Sequence, residues 1–313
     1  MCKKLRLHFF ALALIAILCI TPSARSAEML YVGQFGDGSA GISRFDLSGN
    51  LLGFRPTVIP SAFAAKSNGD IVMVGSTSRQ IRQYSPTLSP KGVVAVVGDV
   101  DDTSIFPRGV AVDSNDGMYI GVHKSSVSQI YDYVEQFDAS GNSVGVFETL
   151  PHASNTKAIV FDAAGNLYVG FQGYVQRYNQ FGSPAGIAAD FAGAEELAVS
   201  PTGVLYVARG GTVAAFGANG ESQLNFSVPG DVQGMAFDKS GVLYVSTGQA
   251  FPNIPSAIRR YTADGEPLGT IVERAIPAGF TDILIVDVVP EPTTLALFAI
   301  GGAVIGYRRR RAG

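Results

Sequence analysis

Disulfides, tryptophan and any histidine cluster are missing from the part of this chain long enough to form a domain. The 313 residues include two cysteines, Cys2 and Cys19, three histidines and no tryptophan. Both thiols fall in the first twenty positions, so no disulfide framework holds the body and its core must do that alone. Only His123 and His152 lie beyond residue 26, and two scattered histidines argue for surface residues rather than a zinc site. Basic charge is scarce too. Between residues 27 and 289 there are 15 Lys and Arg against 25 Asp and Glu, a net of −10. That balance disfavours nucleic acid or an anionic membrane surface as a partner. Glycine is abundant instead, at 37 residues in a chain that is 47% hydrophobic, a composition of short strands and turns rather than helices.

One phrase recurs. It is clearest at 158–170 (AIVFDAAGNLYVG), with near-copies at 197–207 and 235–245 and looser ones at 110–120 and 63–74. Each copy is a short apolar strand, an Asp/Gly turn and a second apolar strand. A second phrase follows, with a β-branched residue, an aromatic three positions on, then a turn. Its aromatics are Phe45, Tyr84, Phe137, Tyr178, Phe216 and Tyr261. The unit is therefore four short antiparallel strands, repeated about every 44 residues, close to the ~40–45 of a propeller blade. The first unit begins directly at its second strand, and the missing first strand appears at the far end as Asp282 to Asp287. A circular offset of this kind is what ring closure requires. The expected fold is all-β: a six-bladed β-propeller over 27–289, its first blade closed by the C-terminal strand. Ile283, Leu284, Ile285 and Val286 are expected to be buried between blades.

The two ends read differently. Lys3, Lys4 and Arg6, an apolar run over 9–20, then Pro22 and small residues form the pattern of a secretory signal peptide over 1–26. The other end holds Pro290, Glu291 and Pro292, an apolar stretch over 293–307, and Arg308, Arg309, Arg310 and Arg311. Those parts, in that order, resemble a PEP-CTERM sorting tail over 290–313. The resemblance implies a short transmembrane helix, processing by an exosortase, and a Gram-negative bacterium that makes exopolysaccharide. It also implies export through the inner membrane to the periplasm, cell surface or matrix, with membrane contact only through the tail before processing.

The Asp-x-x-Gly-x-Leu-Tyr-Val phrase resembles the NHL-type and gluconolactonase-like propellers. That resemblance implies architecture first. Propellers of this kind that are enzymes place a divalent metal on the central axis between inward Glu, Asp or Asn side chains. Here Glu195 and Glu196, beside Asp282 on the closing strand, are the acidic residues at the starts of first strands.

Connectivity separates two faces. First-to-second and third-to-fourth turns share one face and are short. The long, irregular stretches at 98–108, 121–132, 148–156 and 247–257 lead to the other, where binding residues are expected. The candidate ligand-binding residues on that face are Asp101, Asp102, Arg108, His123, Lys124, His152, Phe251 and Asn253, with Phe251 as an aromatic able to stack on a sugar ring. The acidic cluster of Asp99, Asp101 and Asp102 has Ca²⁺-type donors and also the composition of a solvated loop tip. Asp113 to Gly117 has the residues of a calcium loop, but its glycine comes one position early for an EF-hand. Gly36-x-Gly-x-x-Gly41 precedes a strand, not the helix a dinucleotide site needs. No catalytic residue and no cofactor is expected, although Ca²⁺ or another divalent metal remains compatible. The reading is a non-catalytic binding or matrix-associated protein, with polysaccharide or a surface protein as partner. The alternatives are a metal-dependent lactonase or lyase-type propeller enzyme and a structural surface protein without a discrete ligand.

Overall fold

In the computed structural model the described residues are 27–36, 40–75, 78–98, 104–125, 130–150, 157–171, 173–248, 254–274 and 279–288. One compact unit spans Glu28–Val286. It contains six four-stranded antiparallel sheets, five of them made of four consecutive strands. The sixth breaks the order: Gly279–Val288 pairs with Ala27–Phe35, followed by Gly41–Asp46 and Leu51–Pro56. This is the six-bladed propeller, closed in its first blade by the last strand.

The innermost strands are Pro60–Ala65, Ile105–Val112, Ile159–Phe161, Glu196–Val199, Asp231–Phe237 and Gly279–Val288, and all six line one axial cavity of about 300 Å³. The six aromatics of the second phrase, Phe45, Tyr84, Phe137, Tyr178, Phe216 and Tyr261, are all buried. They fill the space between neighbouring sheets where blades widen away from the axis. The closing strand is less uniform than its sequence suggests. Phe280, Ile283 and Val286 are buried, whereas Leu284 and Ile285 are half-buried; both border the axial cavity, and Ile285 also packs against the cluster of Leu30, Val32 and Ile283. An innermost strand always turns some side chains to the axis.

The recurring Asp builds its turn. Asp162 Oδ1 accepts hydrogen bonds from Ala164 N and Asn166 N, and the Gly165 N–H donates to the Asp162 carbonyl at 3.1 Å. Asp46 and Asp138 do the same in their own turns. The phrase is thus a folding instruction, with the carboxylate standing in for backbone acceptors. At the closing position Gly165, Gly203 and Gly241 have φ of +82°, +84° and +86°, where glycine adds no steric cost. Among the described residues, only Leu88 and Asp116, both at φ +64°, hold left-handed positions without being glycine.

Closure by the last strand leads to a first expectation. Ending the chain after Gly279 removes buried Phe280, Ile283 and Val286, worth about 1.5–3 kcal/mol each as an upper bound. Their sum rivals the ~5–15 kcal/mol of a whole domain. The shortened protein should unfold or oligomerise, and a monomer with an unchanged melting temperature would refute closure. A second expectation concerns the turns. No atom lies within 4 Å of a Cβ built on Gly241, so Gly241→Ala meets only backbone strain. It should lower stability by about 1 kcal/mol, read by denaturant unfolding.

Candidate functional site

Two buried carboxylates, Glu196 and Asp282, meet at one end of the axial cavity. When the repeats are aligned on the turn residue, the entry position of the innermost strand holds Ala62, Gly109, Ala158, Glu196, Gly234 and Asp282. Four are small and two are acidic. Glu196 and Asp282 are both buried and both line the cavity. Asp282 is fixed by backbone: Phe63 N and Ile283 N each donate to it at 2.7 Å. Gly234 lets the closing strand approach, since a Cβ there would lie 2.6 Å from Ile283 N and 2.7 Å from Asp282 Oδ1.

Lys157 answers these carboxylates. Its ammonium pairs with Glu196 Oε1 and donates to the carbonyls of Gln233 and, at 2.8 Å, Thr281. One side chain from blade four therefore reaches blades five and six and the closing strand. Burial pushes the Glu196 carboxyl well above the usual carboxylate range, against the opposing Lys157 charge and reinforced by Asp282. Burial likewise raises Asp282 to about 6, again opposed by Lys157. Glu195 points elsewhere, accepting from Gly210 N at 2.9 Å.

Of the eight ligand-binding candidates, Arg108, His123 and Lys124 fall among the described residues. Asp101, Asp102, His152, Phe251 and Asn253 lie outside them, as do Pro290, Glu291, Pro292 and Arg308 to Arg311. The three described residues sit on strands rather than on loops. Arg108 is the exposed residue of a bulge in Ile105–Val112, between Pro107 and Gly109. His123 and Lys124 end the strand Met118–Ser125. His123 Nδ1 lies 2.8 Å from buried Asp132, which makes it a structural partner. The Lys124 ammonium stands 5.6 Å from the Tyr131 ring centre, beside a cavity of about 240 Å³ that Tyr133 and Glu135 also line. Sequence reasoning placed Lys124 on this face but missed Tyr131 and Lys157. The aligned repeats carried the signal for Lys157, which precedes the most regular innermost strand, Ile159–Phe161.

A model of the PEP-CTERM protein-sorting motif matches residues 288–311. The C-terminal tail is a PEP-CTERM motif. That motif implies export, exosortase processing and sorting to the cell envelope or surface. No curated protein matches the sequence. Solved structures share the fold. A protein of unknown function from Bacteroides caccae superposes with a TM-score of 0.63 at 13% identity, over 83% of this chain and 99% of that one. A gluconolactonase from Xanthomonas campestris gives 0.54 at 15% identity over 72% and 84%. A calcium-binding regucalcin from Agrobacterium tumefaciens gives 0.55 at 15% over 74% and 85%. Identities this low establish a common architecture, a six-bladed propeller like those of gluconolactonases, and nothing about ligands.

The axial residues do not fit a divalent metal. Among the described residues no three His, Cys, Asp or Glu side chains come together in a metal-holding group. The position between the two carboxylates and the inward carbonyls is already served by an ammonium from the chain itself.

This arrangement yields a pH prediction. The folded pKa of Asp282 lies above its ordinary 3.8, so the folded state holds the extra proton between pH ~4 and ~6. The stability from this group is fully present below pH about 4 and is lost as pH rises through about 6. Asp46 and Asp138 oppose it at the acid end. Hydrogen bonds from the Asn50 and Asn142 side chains hold them below their ordinary value, so their contribution is lost as pH falls below about 4. Removing one partner of a buried ion pair costs about 3–5 kcal/mol. Lys157→Met should therefore lower the melting temperature at pH 7 by roughly 6–20 °C for a domain of this size, and by less at pH 5. Millimolar Ca²⁺ or Mn²⁺ should leave the wild-type melting temperature unchanged. Equal losses at both pH values would contradict the buried-carboxylate account.

Proposed function

We propose that this PEP-CTERM protein is a non-catalytic binding protein of the cell envelope or its matrix, delivered by a signal peptide over 1–26 and released from its tail by an exosortase. The observation that carries the reading is the Lys157–Glu196 pair at the mouth of the axial cavity. An internal cation there leaves a structural pin where a metal-dependent propeller enzyme would need open ligands. The ligand is extracellular polysaccharide or a surface protein, held on the face reached by the long connections. Arg108 is exposed on that face, and Lys124 with Tyr131 offers a cation beside an aromatic ring. This combination suits a polar polymer whose hydroxyl groups accept from the ammonium while its apolar patches lie on the ring.

A second reading, a metal-dependent lactonase or lyase-type enzyme, draws on two buried carboxylates with raised pKa at the cavity mouth. Such perturbed groups are often functional. A structural surface protein without a discrete ligand is the third.

One set of measurements separates them. The full chain, solubilised in mild detergent, is tested for binding to exopolysaccharide and to whole cells, for bound metal, and for lactone hydrolysis. Binding should fall several-fold in Arg108→Ala with Lys124→Ala, while melting stays within the ~0.5 kcal/mol typical of surface changes. Stoichiometric metal together with lactone turnover that disappears in Glu196→Gln would establish the enzyme instead. Absence of binding to either polymer or cells would favour the structural protein.

A further inference from the structure

On the opposite face, where the short turns lie, a cavity of about 570 Å³ opens among the turns of blades two, three and four, within the ~300–1,000 Å³ of small-ligand pockets. The repeat normally consumes the polar groups at this level. In blade four Asp162 Oδ2 accepts from Asn166 Nδ2 at 2.7 Å and from the Tyr168 hydroxyl at 3.1 Å. The turns at Asp46 and Asp138 likewise receive an asparagine amide on the second oxygen.

The first-to-second turn of blade three, at Asp113, differs from these. Its fifth turn residue is Gly117 rather than asparagine. Asp113 Oδ1 still caps Asn115 N and Gly117 N, at 2.9 and 2.8 Å, but Oδ2 accepts no hydrogen bond from the described residues. Tyr119, the counterpart of Tyr168, accepts from Gln136 Nε2 at 2.8 Å instead of donating to the turn. Its own hydroxyl proton is therefore available. Burial, helped by the Asp113 charge, raises the Tyr119 pKa, so the phenol keeps that proton. An uncommitted acceptor and an uncommitted donor thus line the same cavity.

Its walls and rim are aromatic and firmly held. Phe147 and Phe161 stand edge-on to Tyr119, with ring centres 5.2 and 5.1 Å away. Asp116 occupies the turn position that glycine fills in most other blades, at φ +64°. Its carboxylate accepts Ser67 N at 2.7 Å and Ser67 Oγ at 3.1 Å, which ties the wall between blades two and three. At the rim, Phe181 follows Gln180 and precedes Gly182, both lining residues, and is 82% exposed. Asn179 Oδ1 holds the Phe181 N–H at 2.9 Å, so a fixed turn presents the ring to solvent.

We propose that this cleft between blades three and four is a subsite for a neutral oligosaccharide, with Asp113 and Tyr119 taking a pair of sugar hydroxyls and Phe181 stacking on the apolar face of a ring. A carboxylate acceptor beside a hydroxyl donor matches a sugar diol, in which each hydroxyl both gives and takes a hydrogen bond. The exposed ring supplies the flat apolar contact. Asp113 and Asp162 line the cavity against one cation, buried Lys66, whose ammonium donates to the Ala139 carbonyl at 2.9 Å, so the lining carries a net negative charge that favours neutral sugars over uronates. The proposal rests on the reading of the chain as a binding protein and adds a ligand class and a second face.

The test uses the detergent-solubilised full chain against immobilised neutral oligosaccharides (glucan, mannan and xylan fragments) and uronate oligomers. Asp113→Asn retains the turn cap but replaces the free acceptor with a donor, and Phe181→Ser removes an already exposed ring. Each should weaken binding to the neutral ligand at least tenfold while melting stays at the wild-type value. Unchanged affinity in both variants, preference for uronates, or no neutral glycan bound at all would overturn the subsite. Glycan binding lost only in Lys124→Ala, on the other face, would overturn it too while leaving the binding-protein reading intact. Stoichiometric metal with lactone turnover would overturn both.

Discussion

Ring closure by Gly279–Val288 is the constraint on which the rest depends, because a propeller has no other covalent or cofactor link between its first and last blades. No disulfide is available to the body, so the last strand has to join the first sheet through backbone hydrogen bonds and apolar contact. That strand enters beside Gly234, where any larger residue would collide with its backbone. It carries Asp282, whose oxygens accept from Phe63 N in blade two and from Ile283 N in the strand itself. Thr281, one residue earlier, gives its carbonyl to Lys157. Closure is thereby linked to blades two, four and six. A defect in the ring would leave charges buried without partners, as well as exposing an unpaired strand edge.

The same economy explains the two faces. Short turns capped by their own Asp, Asn, Ser or Thr side chains consume the polar groups they carry, which is why most of that face is inert scaffold. The exception at Asp113 is instructive. Gly117 stands where blade four has Asn166, so no asparagine amide reaches the second Asp113 oxygen, and Asp116, at the position glycine fills in blades two, four, five and six, takes a left-handed conformation that Ser67 anchors. Function on a repetitive scaffold is most readily sought where the repeat departs from itself, since the regular copies have already spent their hydrogen bonds on folding.

Lys157 gives the axis its character. An open pair of carboxylates in a low-dielectric channel attracts a cation, and here the chain itself supplies one. Burial raises the Asp282 pKa to about 6 while hydrogen bonds hold the turn carboxylates Asp46 and Asp138 low, so these groups favour the ring most where Asp282 is protonated and the turn carboxylates are not.

Much of this was legible in the residues alone. The period, the circular offset and the six aromatics from Phe45 to Tyr261 fix the number of blades and the closing strand, because strand alternation and turn chemistry are local properties of the chain. The tail was equally legible, since Pro290 to Arg311 is read as a linear motif. Site geometry was not. Arg108, His123 and Lys124 were assigned to loops, yet bulges and strand extensions place them on strands, and His123 is drawn to buried Asp132. Lys157 and Glu196 are 39 positions apart and meet only because the ring brings the six innermost strands to a common axis. The sequence by itself determined the architecture, the closure and the sorting motif of the tail, all written in short-range patterns. The tertiary structure alone decided which charges are buried together and which turn is left with a free oxygen, because burial and pairing depend on neighbours that are remote along the chain.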